Sequence, residues 1–85
     1  MSVRGLFHPA IVEVASERER QEALVAEGSL DYTAASPDCP DVLRLAALME
    51  EVGEVARALQ EADFEHLAVE LVQVAAVAVA WREAL

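Results

Sequence analysis

Basic residues are scarce in this chain of 85 residues, and lysine is absent altogether. The six basic residues, all arginine, are outnumbered by sixteen acidic ones, and the formal net charge is −10 at pH 7. Proteins that bind nucleic acid neutralise its phosphates with lysine and arginine, and anionic membrane surfaces attract the same residues. We therefore expect neither nucleic acid nor a membrane as a partner.

Cysteine and long apolar runs are scarce as well. Cys39 is the only cysteine, which excludes a disulfide within the chain and fits a reducing compartment. The first residues show no sustained apolar stretch of the signal-peptide type. The longest apolar run, residues 74–81, is much shorter than the roughly 20 residues that cross a bilayer. These absences predict a cytoplasmic protein in which Cys39 has a structural role.

Apolar residues nevertheless make up 55% of the chain, whereas aromatic residues make up only 5%. A core built from Ala, Val and Leu favours packed helices. Because a chain of this length buries only a marginal core by itself, so much apolar surface predicts packing between chains. We expect a single domain over residues 1–85, assembled as a homodimer or homotetramer, in which residues 1–8 are flexible.

Three helices can be placed along the chain. The first begins either at Pro9, which suits a first turn, or at Ser16, which has capping-box spacing to a following glutamate. It ends near Glu27, because Gly28 is a typical residue after a helix C-terminus. Residues 28–40 are rich in Gly, Pro, Ser, Thr and Asp and predict a loop. This loop is long enough to contact a ligand or a neighbouring chain.

The second and third helices carry apolar residues at alternating spacings of three and four. The second is predicted from Pro40 or Asp41 to residues 61–63, and the third from Phe64 to near the C-terminus. The apolar rows are Val42, Leu45, Met49, Val52, Ala56 and Leu59 in the second helix, and Leu67, Leu71, Val74, Ala78, Trp81 and Leu85 in the third. The short connection predicts an antiparallel hairpin. The expected fold is all-α: this hairpin and the preceding helix form a helical bundle completed by oligomerisation.

Acidic side chains interrupt both apolar patterns at helical spacing. Glu50, Glu51 and Glu54 lie in the second helix, and Glu70 and Gln73 lie in the third. A spacing of three places two side chains on one helix face. The two groups lie at similar distances from the hairpin turn, so they come level in the folded pair. Oxygen ligands from two helices are a plausible Mg²⁺ site, although the same pattern also fits the solvated faces of two amphipathic helices.

The segments EEVGEVARAL and ELVQVAAVAVAW resemble the all-α nucleoside triphosphate pyrophosphohydrolases of the MazG type. The signature of that family is Glu-x-x-Glu, a spacer of a dozen or more residues, and then Glu-x-x-Asp. Here Glu51 and Glu54 match the first half, and Glu70 matches the start of the second. The segment ERERQ, residues 17–21, is similar to the first helix of small members of the family.

The resemblance implies a metal-dependent hydrolysis of nucleotides. Mg²⁺, or Mn²⁺ in its place, would be held by Glu51, Glu54, Glu70 and Gln73. The ion would bind the triphosphate and activate a water for attack at the α–β linkage, so that a nucleoside monophosphate and pyrophosphate leave. Glu50 and Glu54 are the implied catalytic residues, and Glu50 would bind an outer-sphere water or act as a base.

Gln73 departs from the family signature, because it stands where the family has Asp. Its amide oxygen can bind a hard cation, but the site loses one negative charge. Two alternatives follow. The chain is either an enzyme that works with three carboxylates, or a non-catalytic oligomerisation or nucleotide-binding module that has lost full metal binding.

Two further side chains lie near the acidic clusters in sequence. Arg57 could contact a substrate phosphate, or it could simply pair with Glu54, three residues earlier. His66 precedes Glu70 by four residues, a spacing that fits Zn²⁺. Because no third zinc ligand is evident in the sequence, His66 is expected to be a surface residue.

Overall fold

A computed structural model of the chain describes residues 8–85, which form three α-helices and no strand. Helix α1 spans Pro9–Ala26, helix α2 spans Asp41–Gln60, and helix α3 spans Phe64–Glu83. The prediction of an all-α fold is confirmed for these residues. Of the segment expected to be flexible, residues 1–7 lie outside the described part of the chain.

Helix α1 begins at the earlier of its two predicted positions. Pro9 occupies the first turn, where its missing N–H would have no helical partner. His8 precedes it as the N-cap, and its Nδ1 accepts a hydrogen bond from the backbone N–H of Ala10 at 3.1 Å. The helix stops before Gly28, whose φ of 83° is readily adopted only by glycine. The amides of Gly28 and Ser29 donate back to carbonyls of the last turn, as in a Schellman motif.

A buried arginine holds the loop between α1 and α2 in place. The guanidinium of Arg44 donates to the carbonyl oxygens of Ala34 and Ser36 at 2.7 and 2.9 Å. It also pairs with the Asp41 carboxylate at 2.9 Å. The same carboxylate accepts a hydrogen bond at 3.0 Å from the indole nitrogen of Trp81. The loop, the start of α2 and the end of α3 are therefore fastened together at one point.

Helix α3 is the central helix, because it packs against both α1 and α2. Its buried positions are Ala76 and Ala80, which lie outside the apolar row predicted for this helix. The remaining buried apolar residues are Ala58 of α2 and Cys39 of the loop, in agreement with a structural role for the cysteine. No large side chain among residues 8–85 is fully buried. The apolar core of the single chain is therefore very small.

The predicted apolar row of α2 is exposed in the single chain along its whole length. Val42, Met49 and Leu59 are 70%, 57% and 55% exposed. The buried and half-buried side chains of α2 lie on another face, which carries Arg44 and Glu51. The most regular apolar pattern of the sequence therefore contributes little to packing within one chain.

Helix α3 is long and apolar enough to cross a membrane by length and composition alone. Its most apolar 18-residue window has a mean hydropathy of 1.4 and is 17% buried. The uninterrupted apolar run of residues 74–81 is too short to cross a bilayer. An 18-residue window gives a higher estimate of the apolar length, because it averages over the polar residues that flank that run. Core helices of soluble proteins also reach this length and hydropathy, but they are mostly buried.

Candidate metal centre

Carboxylates from α2 meet a carboxylate and an imidazole from α3. One ligand atom each from Glu54, His66 and Glu70 lie within 4.8 Å of one another. Within α3, the Nε2 of His66 lies 3.3 Å from a carboxylate oxygen of Glu70. The Glu70 side chain is only 12% exposed, whereas that of His66 is 48% exposed. The group is thus open to solvent on the histidine side and closed on the side of Glu70.

Glu51 adjoins this group through Glu70. Burial, followed by the side-chain hydrogen bond and the charge repulsion from Glu70, raises the pKa of Glu51 to about 7. The charges of Glu50 and Glu54 act in the same direction. A carboxyl group that resists ionisation beside other carboxylates marks a concentration of negative charge. A divalent cation would relieve that repulsion, so the side chains present fit a metal ion.

The local sequence fixes where His66 and Glu70 stand. Asp63 caps α3, and its carboxylate accepts a hydrogen bond at 3.1 Å from the backbone N–H of His66. This cap sets His66 in the first turn, and one turn later Glu70 follows on the same face. The connection from α2 to α3 occupies only residues 61–63. With so short a connection, the last turns of α2, including Glu54, stay near the first turns of α3.

Gln73 makes a different contact from the one implied by the resemblance. Its side chain lies near the Glu17 carboxylate of α1, and this proximity is one cause of a lowered pKa there. The larger cause is the hydrogen bond from Arg20, whose Nε lies 2.6 Å from a Glu17 oxygen, and together these contacts lower the pKa of Glu17 to about 2. Gln73 therefore connects α1 to the part of α3 that carries Glu70.

Arg57 and Glu50 stand at the edge of the group. The guanidinium of Arg57 lies 3.8 Å from Glu54 and 3.6 Å from Glu61, and it is 67% exposed. The structure thus shows the pairing with Glu54, although such an exposed pair contributes little stability. Glu50 is exposed and is not in the group of Glu54, His66 and Glu70.

A cavity of about 350 Å³ lies beside the acidic side chains. All three helices and the loop line it, and its polar side chains include Glu17, Arg20, Arg44, Glu51 and Gln73. Its volume falls within the usual range for small-molecule sites, about 300–1,000 Å³. The loop between α1 and α2 contributes residues to the wall, whereas its predicted contact with a ligand or a neighbouring chain stays a prediction.

Two members of this region were missed from the sequence. His66 is a surface residue, as the sequence predicts, but only folding brings Glu54 of α2 close to it. The spacing of His66 to Glu70 was the signal that could have found it. For Glu17 the sequence gives no comparable signal, because its contact with Gln73 joins helices far apart in the chain.

The group of Glu51, Glu54, His66 and Glu70 is thus defined by its own geometry. It joins two helices, it concentrates negative charge, and one of its members, Glu51, also lines the cavity of about 350 Å³. No family model, curated protein or solved structure matches this chain.

Proposed function

We propose that this protein is a divalent-metal-dependent nucleoside triphosphate pyrophosphohydrolase that resembles the MazG type. The observation that carries the proposal is the meeting of Glu51 and Glu54 of α2 with Glu70 of α3. These are three of the four acidic positions of the family signature, and Gln73 occupies the fourth. The raised pKa of Glu51 supports the proposal, because a site built to hold a cation leaves its carboxylates in mutual repulsion when no cation is bound.

The proposed arrangement is an antiparallel hairpin of α2 and α3 in a homo-oligomer. The three-residue connection and the contact between these helices support the hairpin. The exposed apolar row of α2 supports the oligomer. Since α1 and α2 already cover two sides of α3, we assign the remaining apolar surface of α3 to neighbouring chains rather than to lipid. Because no surface of α3 is then assigned to lipid, the proposed location is the cytoplasm.

The roles of the side chains follow from their positions. Glu51, Glu54 and Glu70 would hold the ion, which would neutralise phosphate charge and lower the pKa of a bound water. Glu54 would orient that water, and Glu50, which is exposed one turn earlier on α2, would bind an outer-sphere water or act as a base. Arg57 is exposed beside Glu54, where it can turn toward a phosphate oxygen. The neighbouring cavity would receive the nucleoside.

Replacing Glu54 with Gln tests the proposal. The substitution removes a metal-binding charge while it keeps the size of the side chain, so release of pyrophosphate should fall about 100-fold or more. The measurement is pyrophosphate and monophosphate formation from a panel of nucleoside triphosphates, canonical and modified. Glu61→Gln is the matched control, because Glu61 also pairs with Arg57 but lies in the exposed turn. If the wild-type protein releases no pyrophosphate from any nucleotide of the panel, the proposed enzymatic activity is refuted.

The alternative is a non-catalytic oligomerisation or nucleotide-binding module. Gln73 favours it, because this neutral side chain replaces the fourth acid and is engaged with Glu17. Thermal unfolding with and without Mg²⁺ separates the two. Occupancy at a thousandfold excess over the dissociation constant would stabilise the fold by about 4 kcal/mol. A module without a metal site would show only the small change expected from added salt.

A further inference from the structure

We propose that His66 is a metal ligand and that it makes this site selective for a first-row transition ion such as Mn²⁺ over Mg²⁺. The inference rests on the proposed function for the position of the metal between α2 and α3. It goes beyond the family signature, which contains acidic side chains alone.

The geometry of the three side chains carries the proposal. Two donor atoms on one ion lie at most about 4.2 Å apart, which is twice a bond length of about 2.1 Å. The ligand atoms of Glu54, His66 and Glu70 all lie within 4.8 Å of one another. Adjacent donor atoms on an octahedral ion lie about 3.0 Å apart and opposite ones about 4.2 Å, so the widest separation has to close by about 0.6–1.8 Å, a movement that side-chain rotations can supply. No change in the helices is required.

The surroundings hold His66 and Glu70 in this arrangement. The cap from Asp63 to the backbone N–H of His66 fixes the start of α3. The Glu70 carboxylate, only 12% exposed, lies between His66 of its own helix and Glu51 of α2. Ligands supported in this way by a second partner bind metals more tightly. An ordinary ion pair between His66 and Glu70 involves two side chains only. The additional presence of Glu54 and Glu51 from α2 favours a metal site.

The chemistry of the ligands determines the selectivity. Mg²⁺ prefers oxygen atoms and keeps several waters, whereas imidazole nitrogen suits the transition ions. Two carboxylates and one imidazole leave coordination positions open for water and for phosphate oxygens. The remaining carboxylate, Glu51, adds a further oxygen on the Glu70 side. Such a mixed set should bind Mn²⁺ more tightly than Mg²⁺, in the order expected for nitrogen-containing sites.

The chain offers a matched control, because it contains only two histidines. His8 is exposed at the start of α1, and its Nδ1 caps that helix. His8→Asn keeps a capping side chain and removes the second imidazole. His66→Gln removes the proposed ligand at an exposed position, where the fold should tolerate the change; circular dichroism checks the helical content. Mn²⁺ is the preferred probe, because the thiol of Cys39 competes more readily for softer ions.

The experiment measures Mn²⁺ and Mg²⁺ binding to the metal-free full chain by calorimetry, and nitrogen coupling to bound Mn²⁺ by electron spin echo spectroscopy. We expect nitrogen coupling in the wild type and in His8→Asn, and none in His66→Gln. The Mn²⁺ affinity of His66→Gln should fall about tenfold or more, since even outer partners of ligands contribute about 10- to 100-fold. Its Mg²⁺ affinity should change less.

Bound Mn²⁺ without nitrogen coupling in the wild type would overturn the inference, and so would an unchanged ratio of the two affinities in His66→Gln. Failure of the enzyme proposal is recognised separately. A protein that binds Mn²⁺ through His66 but releases no pyrophosphate would retain the metal site and lose the activity. A protein that releases pyrophosphate with the same metal preference after His66→Gln would retain the activity and lose this inference.

Discussion

Two glutamates show that the surroundings of a carboxylate determine its chemistry in this protein. Burial and then Glu70 raise the pKa of Glu51 to about 7, whereas contacts with Arg20 and Gln73 lower the pKa of Glu17 to about 2. The opposite shifts occur beside one cavity. The sequence places Glu51 in an acidic cluster, but it does not indicate which carboxylate is buried against another.

The two shifts predict how stability depends on pH in the metal-free protein. Glu17, with its lowered pKa, contributes stability that is present above its ordinary pKa of 4.5 and is lost as the pH falls toward about 2. Glu51, with its raised pKa, contributes stability that is fully present below 4.5 and is lost as the pH rises through about 7. Their combined contribution to the free energy of unfolding should therefore be greatest near pH 4.5.

Chemical denaturation at a series of pH values measures this profile. Glu51→Gln should flatten the decline between pH 4.5 and 7, and Glu17→Gln should flatten the decline on the acid side. Glu19→Gln, at an exposed position of α1, is the control and should leave both slopes in place. A steep loss of stability above pH 4.5 that persists in Glu51→Gln would contradict the assignment.

At the scale of the helices, the tight connection between α2 and α3 contains a strained residue. Ala62 adopts a φ of 54°, in the left-handed region that favours glycine. Ala62→Gly should therefore stabilise the protein by about 0.5–1 kcal/mol, as the relief of strain exceeds the entropy cost of glycine. Ala23→Gly, at an exposed position inside α1, should instead destabilise it by about 1 kcal/mol. Thermal or urea unfolding measures the change in stability for each variant. Changes of the same sign in both variants would contradict the prediction.

The sequence predicts the helix boundaries better than the helix contacts. Pro9, Gly28 and Asp63 act on their immediate neighbours, so their effects can be read from local sequence. The face of each helix that becomes buried depends on its partner. In α3 apolar residues occur on nearly all sides, so periodicity could not select Ala76 and Ala80 as the buried positions.

The candidate site, like the fold, could be predicted in part from the sequence. Glu54 and Glu70 could be brought together from the sequence because equal distances from a short turn place residues at one height. His66 belongs to the same group but depends on a ligand from the other helix. The partner of Gln73 could not be predicted, because nothing in the sequence of α1 specifies how that helix docks on α3.

For the molecule as a whole, the exposed apolar row of α2 predicts self-association. A single chain with so small a core has little to stabilise it alone, and a second copy would cover side chains such as Met49. Met49→Glu places a charge in that contact and should shift the protein toward monomers with a lower melting temperature. Analytical ultracentrifugation measures the mass, and Ala23→Glu, on an exposed face of α1, is the control.

Another surface could mediate the contact, and the same measurement identifies it. An apolar groove of about 590 Å³ runs between α1 and α3 and includes Ile11 and Val79. If Val79→Glu dissociates the oligomer and Met49→Glu does not, the contact lies in that groove and the assignment to α2 is wrong.

The central position of α3 has a mechanical consequence. Helices α1 and α2 each pack against α3 and do not pack against each other. Less than one turn of α3 separates Glu70, which faces the α2 acids, from Gln73, which holds Glu17 of α1. A rotation of α3 about its axis would therefore move Glu70 and Gln73 together, so a change in the packing of either outer helix on α3 would alter the surroundings of both Glu17 and Glu51.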